Sequence, residues 1–331
     1  MHETAHASPY IRKTMRHQNF TPSKPIKVLI SFLTAASLSF GVANGQIFVA
    51  NYNTGTIGEY SLSGTPINAS LITGLNGPEA LAYDGNGHLF VANQESGTIG
   101  EYSITGTTID ASLISGLINP YAVAVDGAGN LFVSQALYPF GRGHGSVGKY
   151  TSSGTVVNAS LITGLDFPTA LALDGNGHLF VGNFYSGTIG EYTTSGVTVN
   201  ASLLGLPWAS GIALDGKGDM FVAQELDQIV GEYTINGATV NSTLISNSGN
   251  TAFDIALDGS GHLFVTWTPS GTIGEYTTSG VTVNASLIDG LAGPTGIVVV
   301  PEPSMGLVAT GLVCLFRMKN GWHCWFSVRH Q

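Results

Sequence analysis

Cysteine is almost absent from this chain of 331 residues, which has two, Cys314 and Cys324, both close to the end. Residues 46–300 therefore contain no disulfide, no thiolate metal ligand and no cysteine nucleophile. A fold built from these residues must depend on packing and hydrogen bonding alone.

Charged residues are also scarce, at 10% of the chain against roughly 25% in an ordinary soluble domain. Residues 46–300 hold 19 acidic residues and only three basic ones, Arg142, Lys149 and Lys217, which leaves a net charge of −16. Such a field repels a phosphate backbone, so the composition argues against a nucleic-acid partner. Apolar residues still make up 43% of the chain, and this argues against disorder.

What the chain does have is a sixfold repeat punctuated by its 45 glycines. Each copy contains Phe-Val, and the phenylalanines are 41 to 48 positions apart. A Gly-Thr-Ile-Gly-Glu-Tyr phrase or a variant follows, then an Asn-Ala-Ser-Leu phrase or a variant, and then another apolar run. These short alternating or β-branched phrases predict four strands per repeat. The six phenylalanines are Phe48, Phe90, Phe132, Phe180, Phe221 and Phe264.

A period near 42 residues with four short strands is typical of a propeller blade. The sequence thus predicts an all-β, six-bladed β-propeller of four-stranded antiparallel blades over residues 46–300, with seven blades as the main alternative. The first copy starts at its second strand, so we expect residues 295–300 to supply the innermost strand of the blade formed by residues 46–72. The repeated phenylalanine is expected to pack between blades.

The fullest copy is Pro-Tyr-Ala-Val-Ala-Val-Asp-Gly-Ala-Gly-Asn-Leu-Phe-Val, at residues 120–133. It resembles the repeat of the NHL class of six-bladed propellers, and this resemblance implies the fold but no particular activity. The NHL repeat closes its second strand with Asp, from which this chain departs. The residues at that position are Asn51, Asn93, Gln135, Asn183, Gln224 and Trp267.

The first 45 residues contain the regions of a secretory signal peptide in the expected order, which is a basic start, an apolar middle and small residues at the end. Two lysines precede an apolar stretch at 28–42, and small residues come just before Gln46. Either Met1 or Met15 could be the start. The alternative is an uncleaved membrane anchor, although the stretch is shorter than the ~20 residues of a spanning helix. We expect export to the extracellular space or the outer cell envelope.

The opposite end carries Pro301, Glu302 and Pro303, followed by an apolar run at 305–316 and then basic residues. This order resembles the PEP-CTERM sorting signal of Gram-negative bacteria, which an exosortase reads. The resemblance implies that residues 301–331 are a sorting tail with transient membrane contact, handled by the sorting and signal-processing machinery. The alternative is an ordinary tail with a chance Pro-Glu-Pro.

Loops at one end of each blade are the candidate ligand site, since propellers in general use the loops between fourth and first strands and between second and third strands. Amides there can donate and accept hydrogen bonds, and aromatic rings offer flat apolar faces. Together they suit a carbohydrate or another neutral polar ligand, or a protein partner. The alternative is that the amides cap turns and the rings cover blade ends. The candidates are Asn51, Asn93, Gln135, Asn183, Gln224, Trp208 and Trp267.

The third repeat is about six residues longer than its neighbours. The extra residues include Tyr138, Phe140, Arg142 and His144, and binding loops are where repeats diverge. We therefore add these four side chains to the candidate ligand site.

The leading prediction is a non-catalytic binding or structural module, with no catalytic residue and no cofactor assigned. The alternative is an enzyme that resembles the lactonase or streptogramin-lyase propellers, which implies a divalent metal, Ca²⁺ or Mg²⁺, in the central pore. Such an enzyme needs unique side chains that converge on one face. The candidates for such side chains are the residues that depart from the repeat pattern, Glu79, Asp254, Asn183 and His144.

Overall fold

The computed structural model describes residues 45–136 and 144–301, which form 24 strands. In chain order these are β1 (Gln46–Asn51), β2 (Thr56–Ser61), β3 (Pro66–Ile72), β4 (Pro78–Tyr83), β5 (His88–Asn93), β6 (Thr98–Ser103), β7 (Thr108–Ile114), β8 (Pro120–Val125), β9 (Asn130–Gln135), β10 (Gly145–Thr151), β11 (Val156–Leu165), β12 (Pro168–Leu173), β13 (His178–Asn183), β14 (Thr188–Thr193), β15 (Thr198–Gly205), β16 (Ala209–Leu214), β17 (Asp219–Gln224), β18 (Ile229–Thr234), β19 (Thr239–Ser246), β20 (Thr251–Leu257), β21 (His262–Thr268), β22 (Thr272–Thr277), β23 (Thr282–Ile288) and β24 (Pro294–Val300).

The strands form six antiparallel four-stranded sheets, so the predicted six-bladed propeller is confirmed. Blade 1 has the order β24-β1-β2-β3, and blades 2 to 6 follow as β4–β7, β8–β11, β12–β15, β16–β19 and β20–β23. The inner strands contact one another in a closed cycle, β24, β4, β8, β12, β16 and β20. In the part of the chain that the structure describes, no helix is long and apolar enough to cross a membrane.

The ring closes as predicted, with β24 paired against β1. Gln46 lies opposite Val300, and Val49 lies opposite Ile297. The two ends of the repeat array therefore share one sheet, and blade 1 has four strands like the other five blades.

The repeated phenylalanine packs between neighbouring blades, as predicted from its position. Phe180, in β13 of blade 4, is 1% exposed. It lies in one apolar cluster with Ile212, Met220 and Val222 of blade 5. Phe264 in turn packs against β1 and β24 of blade 1. These contacts make the interfaces between blades the hydrophobic core of the protein.

The glycine of each Gly-Glu-Tyr phrase is required because the ring of the tyrosine two residues later packs directly against it. A Cβ atom on Gly190 would lie 2.7 Å from the Cε2 atom of Tyr192, too near for any real contact. The tyrosine ring folds back over this glycine and is 5% exposed. Glycine in a strand interior often marks such an approach, and here it lets the ring enter the interface between blades.

An aspartate caps the turn between the first and second strands of several blades. In blade 4 the Asp174 Oδ1 atom accepts hydrogen bonds from the backbone N–H groups of Asn176, at 2.7 Å, and His178, at 2.9 Å. Its Oδ2 atom lies 3.0 Å from the Nδ1 atom of His178. Partial burial raises the pKa of Asp174, but these hydrogen bonds and the nearby His178 outweigh it, and the pKa is lowered.

Replacing this carboxylate is expected to change how stability depends on pH. Asp174→Asn should lower the free energy of unfolding at pH 7 by about 1 kcal/mol, because it weakens hydrogen bonds to a charged acceptor. The folded-state pKa is depressed, so the carboxylate stabilises the fold above about pH 4 and this contribution is lost as the pH falls through the folded-state value. Urea denaturation of both proteins should show the difference shrinking towards acid pH.

The matched control is Asp110→Asn, on the exposed outer strand β7. Its Oδ1 atom accepts one hydrogen bond, from the backbone N–H of Ser112. We expect a smaller effect there. A difference for Asp174→Asn that stays constant from pH 7 to pH 3 would contradict the assignment.

Candidate functional site

Four of the predicted amides are buried at the ends of second strands. Asn51, Asn93, Asn183 and Gln224 are 3–4% exposed. The Nδ2 atoms of the three asparagines each donate to a threonine across their own hairpin, at 3.5 Å. The Gln224 Nε2 atom lies 3.5 Å from the Tyr233 hydroxyl of the same blade. As placed, these amides serve the fold, and ligand contact by them stays a prediction.

The remaining predicted residues are scattered. Gln135 is half-buried, and its Oε1 atom accepts a hydrogen bond from the backbone of Ile118 at 3.1 Å. Trp267 is 0% exposed and belongs to the core between blades 5 and 6. Trp208 is half-buried in the turn before β16, and His144 is exposed just before β10. Tyr138, Phe140 and Arg142 lie outside the described residues, as do Glu302, Pro303, the signal-peptide region and the tail after Pro301.

A cavity of about 350 Å³ lies at the ring axis, where the chain enters the inner strands. We call it the axial cavity. None of the amides or tryptophans predicted as ligand contacts lines it, whereas Glu79 and Asp254, the two acids that break the repeat, both do. Its polar and aromatic lining residues are Glu79, Tyr121, Phe167, Thr169, Phe184, Tyr185, Ser210, Glu225, Phe253 and Asp254.

The register of the inner strands explains why Glu79 and Asp254 reach the axis. Glu79 is the second residue of β4, where the equivalent residue of β12 is Thr169 and that of β16 is Ser210. Asp254 occupies the next register position, which the other inner strands fill with Ala or Gly. A Cβ atom on Gly211 would lie 2.8 Å from the Cα atom of Asp254, so the neighbouring strand leaves room for this carboxyl group.

Glu79 is a buried acid that faces two other acids. It is 8% exposed, and within residues 45–136 and 144–301 its carboxyl group makes no hydrogen bond. Burial raises its pKa, the charges of Glu225 and Asp254 raise it further, and it reaches about 8. Isolated carboxylates are costly in such surroundings and become protonated instead. Glu79 therefore exchanges its proton close to neutral pH.

Asp254 is held by backbone hydrogen bonds in the wall of the cavity. Its Oδ1 atom accepts from the N–H of Ile255 at 2.8 Å, and its Oδ2 atom accepts from the N–H of Ile297 at 3.0 Å. Burial raises the pKa of Asp254 to about 7, against the lowering effect of these two hydrogen bonds. Burial also raises the pKa of Glu225, which follows β17.

Four rings cover one side of the axial cavity, and we call Tyr121, Phe167, Phe184 and Tyr185 the aromatic cluster. The centroid of the Phe167 ring lies 4.8 Å from that of Tyr121 and 4.7 Å from that of Tyr185. The Tyr121 hydroxyl accepts a hydrogen bond from Gln94 at 3.0 Å. The cavity therefore combines flat apolar faces with carboxyl groups.

Phe167 adopts a backbone conformation that glycine normally occupies. Its φ angle is 59°, and the equivalent residues Gly77 and Gly293 have φ angles of 64°. A bulky residue in this left-handed region is strained, and such strain often marks a functional site. Here the strained backbone places a ring on the cavity.

A divalent metal in the pore, which the enzyme alternative implies, does not fit these residues. No group of three His, Cys, Asp or Glu side chains in the described ranges could hold a metal ion. Both carboxylate oxygens of Asp254 already accept backbone hydrogen bonds, and the described cavity wall contains no histidine. We therefore derive no chemical step through a metal.

Glu79 and Asp254 are predicted from the sequence only under the enzyme alternative, and Glu225 and Tyr185 are not predicted from it. Both missed residues follow the amide position at the end of a second strand, Glu225 directly and Tyr185 one residue later. These two positions vary from copy to copy, whereas the amide position is nearly constant. That variation was the available signal.

The fold and the cavity define the class of protein, a six-bladed β-propeller with an acidic, ring-lined cavity at its axis. The sequence profile of the Virginiamycin B lyase family matches residues 31–311, and the chain belongs to that family. No curated protein matches the chain significantly.

Solved structures share the fold at low sequence identity. A chain from a nidogen/laminin complex has a TM-score of 0.62 and 15% identity over 78% of this chain and 98% of that one. A gluconolactonase from Xanthomonas campestris has a TM-score of 0.52 and 16% identity over 68% and 84% of the two chains. A protein of unknown function from Bacteroides caccae has a TM-score of 0.57 and 14% identity over 78% and 100%. At such identities these structures share only the fold with this chain.

Proposed function

We propose that the chain is exported and acts as a non-catalytic binding module of the cell envelope, with its ligand in the axial cavity. The ligand we favour is a residue of an exopolysaccharide. The observation that carries this proposal is the aromatic cluster beside Glu79, Glu225 and Asp254. Ring faces pack against sugar carbons, and carboxylates accept hydrogen bonds from hydroxyl groups. The export signals predicted at the two ends agree with such a location.

A matched pair of variants tests where the ligand binds. Phe167→Gly and Trp208→Gly both remove a ring from a residue with a φ angle of 58–59° before an inner strand. Only Phe167 lines the axial cavity. Glycine accepts this backbone conformation, so both variants should fold.

Binding to an array of bacterial oligosaccharides should fall at least tenfold for Phe167→Gly and stay within twofold for Trp208→Gly. The melting temperatures of both variants provide the folding control. A loss of binding for Trp208→Gly but not for Phe167→Gly would place the ligand site at Trp208 and not in the axial cavity. If the wild-type protein binds nothing on the array, the carbohydrate ligand is wrong.

A second candidate function is that of a lyase, which the family membership favours. Two acids in the axial cavity have pKa values of about 7 and 8, the range in which a carboxyl group can exchange a proton during a reaction. In an elimination, the carboxylate of Glu79 would accept the proton from a substrate carbon while a double bond forms and the bond to the leaving group breaks. Glu79 is the candidate base because its carboxyl group has no hydrogen bond among the described residues.

Incubation with virginiamycin B, followed by chromatography, separates the two functions. We expect no conversion by the wild-type protein. Conversion that Glu79→Gln abolishes would replace the binding proposal with a lyase. The Glu79→Gln variant should fold normally, because glutamine has nearly the same shape as glutamate and adds no charge to the buried site.

A further inference from the structure

The axial cavity holds three acidic side chains and, among the described lining residues, no basic one. Glu79 is 8% exposed. Its carboxyl group has no hydrogen-bond partner in the described ranges, and the adjacent acids repel its charged form. A buried carboxylate in this situation is stable only when it is protonated or when a cation lies beside it.

The aromatic cluster supplies a second and independent attraction for a cation. The faces of aromatic rings carry negative electrostatic potential, and a cation near a ring face is stabilised. Tyr121 and Phe167 line the same cavity as Glu79, with centroids 4.8 Å apart. Rings favour organic cations in particular, because such cations also bury apolar groups against them.

We propose that the ligand of the axial cavity carries an organic ammonium group, which pairs with Glu79 and packs against the rings of Tyr121 and Phe167. This inference rests on the proposed binding function and specifies its ligand class. The ammonium group could belong to an amino sugar or to a small arylalkyl amine. A volume of about 350 Å³ accommodates either.

Cation binding should be coupled to loss of a proton. Glu79 has a pKa of about 8, and the groups that face it are Glu225, Asp254 and the hydroxyls of Tyr52 and Tyr121. A cation favours the charged form of Glu79, so affinity for a permanently charged ligand should rise between pH 6 and pH 9. Isothermal titration in two buffers with different ionisation enthalpies should show release of up to one proton at pH 7.

The test uses two pairs of probes that differ in charge, at pH 7. The sugar pair is glucosamine and glucose, and the aryl pair is benzyltrimethylammonium and benzyl alcohol. In at least one pair the cation should bind with 1:1 stoichiometry and at least tenfold more tightly than its neutral partner. The pair that shows this difference identifies the source of the ammonium group.

Two matched acid variants locate the effect. Glu79→Gln should weaken binding of the cation at least tenfold and leave the neutral partner within twofold, because the amide keeps the shape and loses the charge. Glu95→Gln removes an exposed acid that contacts Tyr52 and does not line the cavity, so it should leave both affinities within twofold.

The outcomes separate this inference from the function on which it rests. If the oligosaccharide array shows binding that depends on Phe167 while cations bind no better than neutral probes, the predicted ammonium group on the ligand is wrong and the proposed binding function stands. If Glu79→Gln leaves cation affinity unchanged, the inference is overturned as well. If the array is silent and no probe binds, both the inference and the proposed function fail.

Discussion

A chain that ends at Gly293 is expected to lose its cooperative folding transition. This deletion removes β24, the inner strand of blade 1, whose residues Ile297, Val299 and Val300 are 4–8% exposed. Burial of three such side chains contributes about 5–9 kcal/mol, at about 1.5–3 kcal/mol each. Typical domains are stable by only about 5–15 kcal/mol in total. The deletion also leaves β1 with an unpaired edge at the ring axis.

The control is a chain that ends at Pro301, which keeps all 24 described strands. Thermal unfolding monitored by circular dichroism should show a sharp transition for the control, and a broad transition or aggregation for the shorter chain. If the two chains unfold within about 1 kcal/mol of each other, β24 does not close the ring. That result would contradict the register in which Gln46 faces Val300.

Phe180→Ala is expected to lower the free energy of unfolding by about 3–5 kcal/mol. The side chain is 1% exposed and packs against Ile212, Met220 and Val222 of the next blade. Its removal loses the burial of the ring and leaves a cavity between two sheets. Urea denaturation, with the change in midpoint and slope fitted together, measures this loss.

Val197→Ala is the matched control for this substitution. Val197 is 61% exposed, just before the outer strand β15 of the same blade, so its truncation should change stability by less than about 0.5 kcal/mol. A loss below about 1 kcal/mol for Phe180→Ala would mean that the interface between blades does not depend on the repeated phenylalanine.

The fold was predictable because the repeat carries its own register. Phe180 is central in β13, and the turn after Asp174 is set by the two glycines that follow it. The axial cavity was harder to predict. Glu79 and Asp254 broke the repeat, but many breaks in a repeat are neutral. The amide position looked functional because of its chemistry, yet Asn183 is buried at a hairpin end.

The sequence by itself predicted six blades, the strands of each blade and the pairing of residues 295–300 with the strand that begins at Gln46, because local alternation and turn chemistry repeat with a nearly constant period. Only the tertiary structure decided which side chains share the cavity. Glu79 and Asp254 are 175 residues apart in the chain and line the same cavity because the blades pack around one axis. The physical reason is that periodicity specifies contacts within a blade and with its neighbour, whereas proximity across the axis depends on how all six blades pack together.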